Sequence, residues 1–224
     1  MKIFKNKEQL KREIGNKKSI SFVPTMGGLH KGHISLIKTA KKYTKETLVS
    51  IYVNPKQFSR EEDYKKYPRN LTKDLKILKK LKVNYLYLPT YKDLFKFKPS
   101  HRIYLHKFSK ILCGKYRKYH FRGVLDVVNR FLEIIRPKYL FLGLKDFQQL
   151  TLINKHILKN KIFTKIISCK TMRESNGIVC SSRNFNLNKK QLKIAKDVYN
   201  YLIKIKRKTK KNFKLFNYSL FKNC

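Results

Sequence analysis

Acidic side chains are scarce in this sequence: 13 Asp and Glu stand against 55 Lys and Arg, which gives a formal net charge of +42. Cysteine is also rare. The four cysteines show neither metal-ligand spacing nor a dense disulfide framework, so we expect free thiols in a reducing compartment. No apolar run reaches the roughly 20 residues that a membrane-spanning helix needs, and the N-terminus lacks the apolar core of a signal peptide. We therefore expect a cytoplasmic protein that does not bind membranes.

The basic excess allows two interpretations. Lysines that neutralise phosphates could bind a nucleic acid. However, Lys outnumbers Arg 44 to 11 and is spread along the whole chain. Arg is the residue that reads bases in a bidentate manner, whereas Lys, Asn, Ile, Tyr and Phe have A/T-rich codons. The composition therefore favours drift in an A/T-rich genome, with only weak attraction to polyanions such as ATP.

Strand-like and helix-like segments alternate along the chain, which predicts an α/β fold with a doubly wound parallel sheet. Ligands of such sheets bind beyond the carboxyl ends of the strands, where Pro24, Pro55, Pro89 and Gly143 open the predicted loops. A basic and aromatic stretch at 99–122 is expected to be irregular. Hydrophobic periodicity predicts strands at 19–23, 47–53, 83–88, 139–142 and 162–168, and helices at 6–15, 32–43, 70–81, 123–135, 145–158 and 188–206.

The segment from Pro24 to His33 carries the clearest chemical pattern. Three of the eight glycines and two of the six histidines lie between residues 27 and 33, after a predicted strand and at the start of a helix. This context is typical of a phosphate site, because glycines let the backbone approach a nucleotide and the helix start offers free N–H groups. His30 and His33 could both donate to charge developing on a phosphate. The plainer alternative is a glycine turn with two surface histidines.

The His30-Lys31-Gly32-His33 pattern resembles the H-x-G-H nucleotidyltransferase superfamily, and the longer string from Val23 resembles the pantothenate synthetase family. Three positions depart from that family's pattern: Lys118-Tyr119 replaces Pro-Gly, and Leu144 replaces Glu. Five further segments show the same resemblance in the same order: 53–58, 62–74, 117–124, 141–150 and 172–184.

The resemblance implies a Rossmann-like domain that condenses pantoate with β-alanine through a pantoyl adenylate, using ATP and Mg²⁺, in a homodimer. His33, His30 and Lys145 are the implied catalytic residues. Gln57, Gln149 and Asn54 would bind the pantoate and β-alanine, and Asp74 would help to hold Mg²⁺. The implied ATP-binding residues are Met26, Gly27, Gly28, Leu29, His30, Lys31, Gly32, His33, Gly143, Leu144, Lys145, Asp146, Met172, Cys180, Ser181, Ser182 and Arg183.

A domain boundary is expected near residue 172. Residues 1–172 would bind ATP and pantoate, and 173–224 would form a C-terminal lid region that is shorter than the family's lid. A lid excludes water from a reactive intermediate, so we expect incomplete closure and weak activity. Two alternatives stay open: another adenylating enzyme of the H-x-G-H superfamily, and a catalytically impaired basic remnant that binds polyanions.

Overall fold

The computed structural model describes residues 1–15, 17 and 19–212 and contains one sheet in which all strands run parallel. The strand order is β1-β4-β3-β2-β5-β6, so the predicted doubly wound sheet is confirmed. The sequence did not predict β1, a three-residue edge strand paired with β4. The strands are β1 (Lys2–Phe4), β2 (Ile20–Thr25), β3 (Glu46–Ile51), β4 (Tyr85–Tyr87), β5 (Tyr139–Gly143) and β6 (Lys165–Cys169).

Helices cover both faces of the sheet, because alternate strand residues point to opposite sides. Phe22 packs with the helices at 7–14, 120–135 and 147–159, whereas its neighbour Val23 packs with those at 31–40 and 71–80. The helices are α1 (Lys7–Ile14), α2 (Lys31–Ala40), α3 (Glu61–Lys65), α4 (Leu71–Lys80), α5 (Tyr91–Phe95), α6 (Cys113–Tyr116), α7 (His120–Ile135), α8 (Phe147–Lys159) and α9 (Lys189–Asn212).

The crevice of the sheet opens between β2 and β5. The sequence prediction ended β2 before Pro24, but the strand continues to Thr25 through its pairing with β3. Pairing between β2 and β5 stops earlier, at Phe22 and Leu140. Proline has no N–H to continue a ladder on both sides of a central strand. The carboxyl ends of β2 and β5 therefore separate at the switch point of the sheet, where ligands of this architecture bind.

The chain beyond β6 forms a turn, a short 3₁₀ helix at Ser182–Asn186 and then α9. The predicted final helix is confirmed and continues past Lys206 to Asn212. The prediction for the tail beyond residue 212 falls outside the described residues, and the boundary near residue 172 stays a prediction. None of the helices described in 1–212 is both long and apolar enough to cross a membrane.

Candidate active site

A cavity of about 440 Å³ lies at the carboxyl ends of β2 and β5. Its walls include Pro24 and Thr25 of β2 and Leu142 of β5, so it occupies the crevice that the topology predicts. Ten of the residues implied by the resemblance line this cavity: Met26, His30, His33, Gln57, Lys145, Asp146, Gln149, Ser181, Ser182 and Arg183.

The rings of His30 and His33 lie side by side, with 4.0 Å between their centroids. His30 caps α2, and its Nδ1 accepts a hydrogen bond of 3.1 Å from the Gly32 N–H. Nδ1 of His33 accepts one of 3.4 Å from the His30 N–H. A neutral imidazole that accepts through Nδ1 carries its proton on Nε2. Each ring therefore keeps one Nε2–H donor for a ligand in the cavity.

Both histidines are neutral at pH 7. Burial, followed by the positive charge of Lys145, lowers the pKa of His30 to about 4. Burial, followed by the charges of His30 and Lys145, lowers the pKa of His33 to about 3. Two neutral donors and one lysine can thus face an anion together without the mutual repulsion of three cations.

Asp74 on α4 fixes the backbone of the loop before His30. Its Oδ2 accepts from the Gly28 N–H at 2.9 Å and its Oδ1 from the Leu29 N–H at 2.8 Å. The loop needs glycine, because Gly27 and Gly28 have φ of +78° and +59°. A Cβ on Gly27 would also lie 3.0 Å from Oδ2 of Asp74. The carboxylate therefore shapes the turn that presents the two histidines.

The implied Mg²⁺ role of Asp74 is not tested by its contacts, which are all to protein backbone. The residue is 1% exposed, and both of its oxygens already accept backbone hydrogen bonds. Burial raises the pKa of its carboxyl, while the backbone hydrogen bonds from Leu29 and Gly28 act in the opposite direction. Within the described part of the chain, no three His, Cys, Asp or Glu side chains form a group that could hold a metal ion. The metal role of Asp74 stays a prediction without a supporting contact.

The 3₁₀ turn at Pro55–Gln57 ends with Gln57 and is capped by Asn54, and these two amides have different roles. Gln57 lines the cavity, and its Nε2 lies 3.1 Å from Sδ of Met26. Asn54 is 1% exposed and does not line the cavity. It donates to Oε1 of Gln57 at 3.3 Å and to the Gly123 carbonyl at 3.0 Å. Asn54 therefore positions Gln57, and its implied role in substrate binding stays a prediction.

The segment after β5 places Lys145, Asp146 and Gln149 at the cavity. Leu144, which replaces a Glu of the family pattern, is 39% exposed and is not among the lining residues. Gln148, which the sequence analysis did not single out, is 7% exposed and lines the cavity. Its side chain accepts from the Cys113 N–H and donates to the carbonyls of Phe108 and Ile111, each within 3.1 Å. Gln148 thereby anchors the loop before α6.

The loop after β6 brings Ser181, Ser182 and Arg183 to the cavity. Oγ of Ser182 donates to the Gly28 carbonyl at 3.1 Å, which joins this loop to the glycine turn. Arg183 pairs with Asp63, at 2.7 Å between Nη2 and Oδ2.

Some implied ATP-binding residues lie outside the cavity wall. Lys31 pairs with Glu174 at 2.6 Å, and Sγ of the buried Cys180 donates to the same carboxylate at 3.2 Å. The Lys31 and Cys180 side chains therefore stabilise the loop after β6 through their contacts with Glu174. The remaining implied ATP-binding residues that do not line the cavity are Gly27, Gly28, Leu29, Gly32, Gly143, Leu144 and Met172.

An apolar wall of the cavity was not predicted. The α7 residues Val124, Val127, Val128 and Phe131 line it and belong to the core on that face of the sheet. Their helical spacing predicts only a buried helix face, because nothing in the pattern distinguishes a cavity wall from a filled core. The cavity also includes Tyr52, Phe58, Tyr67, Arg117, His120, Leu142 and Ile153.

His120 joins α7 to the Gln57 turn. Its Nδ1 lies 2.6 Å from the Gln57 carbonyl oxygen, and burial lowers the pKa of the imidazole. Because a carbonyl can only accept, Nδ1 carries the proton and Nε2 is left as an acceptor at the cavity. This is the opposite tautomer to that of His30 and His33.

Comparison with known proteins agrees with this geometry. Residues 2–221 match the profile described as Pantoate-beta-alanine ligase. The pantothenate synthetase of Flavobacterium psychrophilum is 41% identical over 203 residues, covering 90% of this chain and 72% of the relative. That of Thermosipho africanus is 40% identical over 210 residues, covering 92% and 76%. The chain thus spans about three quarters of the length of these relatives.

Solved structures show the same likeness. The crystal structure of pantoate-beta-alanine ligase from Francisella tularensis, complexed with beta-gamma ATP and beta-alanine, superposes with a TM-score of 0.85 at 43% identity. The match covers 89% of this chain and 78% of that one. Pantothenate synthetase from Thermus thermophilus also gives 0.85, at 30% identity, covering 91% and 74%.

Proposed function

The chain belongs to the pantoate–β-alanine ligase family, and from that premise we propose how its cavity divides the reaction among its residues. The enzyme condenses pantoate with β-alanine at the expense of ATP. In the proposed sequence, a pantoate carboxylate oxygen attacks the α-phosphorus of ATP and the bond to pyrophosphate breaks. The amine of β-alanine then attacks the acyl carbon of pantoyl adenylate, and AMP leaves.

One observation supports this assignment: the same cavity has an apolar wall and a cationic wall. Val124, Val127 and Phe131 belong to one packed cluster. Lys145, Arg117 and Arg183 supply the cationic part of the lining. Ligand cavities commonly have volumes of about 300–1,000 Å³ with few polar groups on a mostly apolar wall. Pantoate matches such a site, because it carries two methyl groups next to two hydroxyls and a carboxylate.

Gln57 and Gln149 are proposed to orient the pantoate. A glutamine amide offers two donors and one acceptor, which suits a carboxylate and a hydroxyl together. Oε1 of Gln57 already accepts from Asn54, so its remaining donor capacity faces the cavity. The methyl groups would then pack on the apolar wall of α7, where burying each one contributes roughly 0.8 kcal/mol.

His30, His33 and Lys145 are proposed to stabilise the charge that develops during adenylation. The two Nε2–H groups are preorganised donors in a partly buried site, where such donors lower the barrier most. In the ligand-free protein the two rings, with pKa values lowered to about 4 and 3, are neutral at pH 7 and hold no readily transferred proton. Their contribution is therefore electrostatic, while Ser181, Ser182 and Arg183 would hold the phosphates.

The Gly28 and Leu29 N–H groups are committed to Asp74 and are not available to phosphates. The glycine turn therefore acts through its shape, by bringing His30 and the nucleotide together. Mg²⁺ is implied by the family resemblance, and an ion that accompanies ATP needs only one or two carboxylates beside the phosphate oxygens.

Homodimerisation and a cytoplasmic location are proposals that rest on family resemblance alone. Sedimentation velocity of the purified chain tests the first, because a dimer has twice the monomer mass. Fractionation of the native cells tests the second.

The assay that tests the proposed function is exchange of labelled pyrophosphate into ATP, with and without pantoate. We expect exchange that requires pantoate and needs no β-alanine. Exchange driven by an amino acid instead would identify a different adenylating enzyme of the superfamily. If neither pantoate nor an amino acid supports exchange, the adenylation mechanism is excluded.

A further inference from the structure

A two-pronged ion pair joins the loop after β6 to α3. Nε of Arg183 donates to Oδ1 of Asp63 at 3.1 Å, and Nη2 donates to Oδ2 at 2.7 Å. Arg183 lines the cavity, whereas Asp63 does not. The carboxylate thus acts on a cavity side chain from outside the cavity wall.

This geometry leaves one edge of the guanidinium for a ligand. Arginine has five N–H donors in a rigid fork, and the carboxylate takes the Nε and Nη2 edge. The Nη1 edge stays available to an anion at the same time. The guanidinium carbon also lies 5.5 Å from the ring centroid of the buried Tyr67. Two contacts in different directions therefore fix the plane of Arg183.

Asp63 also offsets repulsion between two cations. Arg117 lines the same cavity, and its pKa is lowered by burial and then by the positive charge of Arg183. The negative charge of Asp63 acts in the opposite direction on Arg117. Asp63, together with Asp146, thus lets the two guanidinium groups line the same cavity before any phosphate arrives.

Further contacts make α3 and the 3₁₀ turn at Ser182–Asn186 one unit. Nδ2 of Asn186 donates to the Lys66 carbonyl at 3.2 Å. The hydroxyl of Tyr67 donates to Oγ of Ser182 at 3.4 Å. These two hydrogen bonds restrict the backbone position from which the Arg183 side chain enters the cavity wall.

We propose that Asp63 is a positioning residue for adenylation, which holds the guanidinium of Arg183 so that its free edge meets the phosphates of ATP. The proposal rests on the proposed function, in which ATP binds in this cavity. The competing interpretation is that Asp63 sequesters Arg183 and must be displaced by ATP. The two interpretations predict opposite signs, because removal of the carboxylate weakens ATP binding in the first and strengthens it in the second.

The test compares Asp63→Asn with Glu61→Gln. Glu61 lies on the same helix and forms an exposed ion pair with Lys65, so it is a matched control for loss of one carboxylate. An asparagine turns an N–H₂ group toward one guanidinium donor and abolishes the paired geometry. We expect the Kd of a non-hydrolysable ATP analogue and the KM for ATP to rise about 10-fold in Asp63→Asn, since misplacing a positioning group is costly. Glu61→Gln should match the wild type.

Melting temperatures should be similar for all three proteins. The Asp63 and Arg183 side chains are 38% and 46% exposed, and exposed ion pairs contribute little to stability.

A double-mutant cycle tests whether Asp63 acts through Arg183. In an Arg183→Ala background, Asp63→Asn should cause no further loss of ATP affinity.

Three results would overturn the proposal: tighter binding of the analogue by Asp63→Asn, equal values for Asp63→Asn and Glu61→Gln, or additive losses in the cycle. If the wild-type protein exchanges pyrophosphate normally and the variants give one of these results, only the role of Asp63 is refuted. A wild-type chain that neither binds the analogue nor exchanges pyrophosphate refutes the proposed function as well.

Discussion

The carboxylate of Asp74 accepts a hydrogen bond of 2.9 Å from the backbone N–H of Gly28, 46 residues away in sequence. This contact connects α4 to the turn that presents His30 and His33. It also explains why an acidic residue is buried in a chain that has so few of them. Loss of this bond should therefore affect both the fold and the site.

Asp74→Asn should impair both stability and adenylation. The amide replaces one acceptor by a donor, so either the Gly28 or the Leu29 N–H loses its partner, at about 1–3 kcal/mol. Urea unfolding measures the stability, and pyrophosphate exchange measures the adenylation. Asp197→Asn on the exposed face of α9 is the control for the charge change.

A magnesium titration distinguishes this account from a metal role for Asp74. If the carboxylate shapes the loop, excess Mg²⁺ leaves the exchange rate of Asp74→Asn unchanged. Recovery of the rate at high Mg²⁺ would show that Asp74 binds the metal and would contradict the loop assignment.

His33→Ala should lower the rate of adenylate formation about 10²-fold or more, which is the usual effect of losing one preorganised donor. The pH profile is the sharper part of this prediction. Because the pKa of His33 is about 3 and that of His30 about 4, wild-type adenylation should show no inflection near neutral pH that belongs to either ring. An inflection near the ordinary histidine value of about 6.5 that disappears in His33→Ala would show that the ring titrates during catalysis.

His156 should make folding stability sensitive to acid. It is fully buried, its Nδ1 accepts from the Tyr104 N–H at 3.1 Å, and burial lowers its pKa to about 4 from 6.5. The folded state therefore binds a proton less readily than the unfolded state. The stabilisation is complete above about pH 6.5 and is lost as pH falls toward 4, with a slope of up to about 1.4 kcal/mol per pH unit.

Urea unfolding of the wild type and of His156→Gln, measured from about pH 4.5 to about pH 7.5, tests this effect. The variant should be less stable at the upper end of this range and should show a shallower loss on acidification. Parallel pH dependences in the two proteins would exclude His156 as a source of the acid sensitivity.

Gly123→Ala should displace Gln57. Any Cβ at residue 123 would overlap the Lys56 carbonyl, so α7 could no longer pack on the 3₁₀ turn. Overpacking of this kind typically costs about 1–3 kcal/mol. We expect the KM for pantoate to rise more than the KM for ATP, because Gln57 is assigned to pantoate. An equal rise in both constants would point to general disruption.

The sequence predicted the sheet because its strands and helices alternate strongly, and it placed the glycine and histidine loop at the cavity because the histidines lie at a helix start. It missed β1, whose Lys2–Phe4 segment is too short to show a period. It also ended β2 at Pro24, although pairing with β3 alone tolerates a proline.

Site details were harder to predict where a residue acts through another residue. The family resemblance implies that Asn54 and Asp74 bind ligands, and the structure adds that both are buried and form hydrogen bonds with protein atoms. Conversely, Val127 looks like core but lines the cavity. Hydrogen-bond partners that are 46 or 69 residues apart in sequence are set by tertiary packing, which no local pattern reveals.

The central claim is that this cavity activates pantoate as an adenylate, and isotope transfer tests it most directly. Pantoate labelled with ¹⁸O in its carboxylate is incubated with enzyme, ATP and β-alanine, and the AMP is analysed by mass spectrometry. Attack of the carboxylate on the α-phosphorus predicts that one ¹⁸O atom appears in AMP. Unlabelled AMP, or label in inorganic phosphate with ADP as the coproduct, would contradict the account.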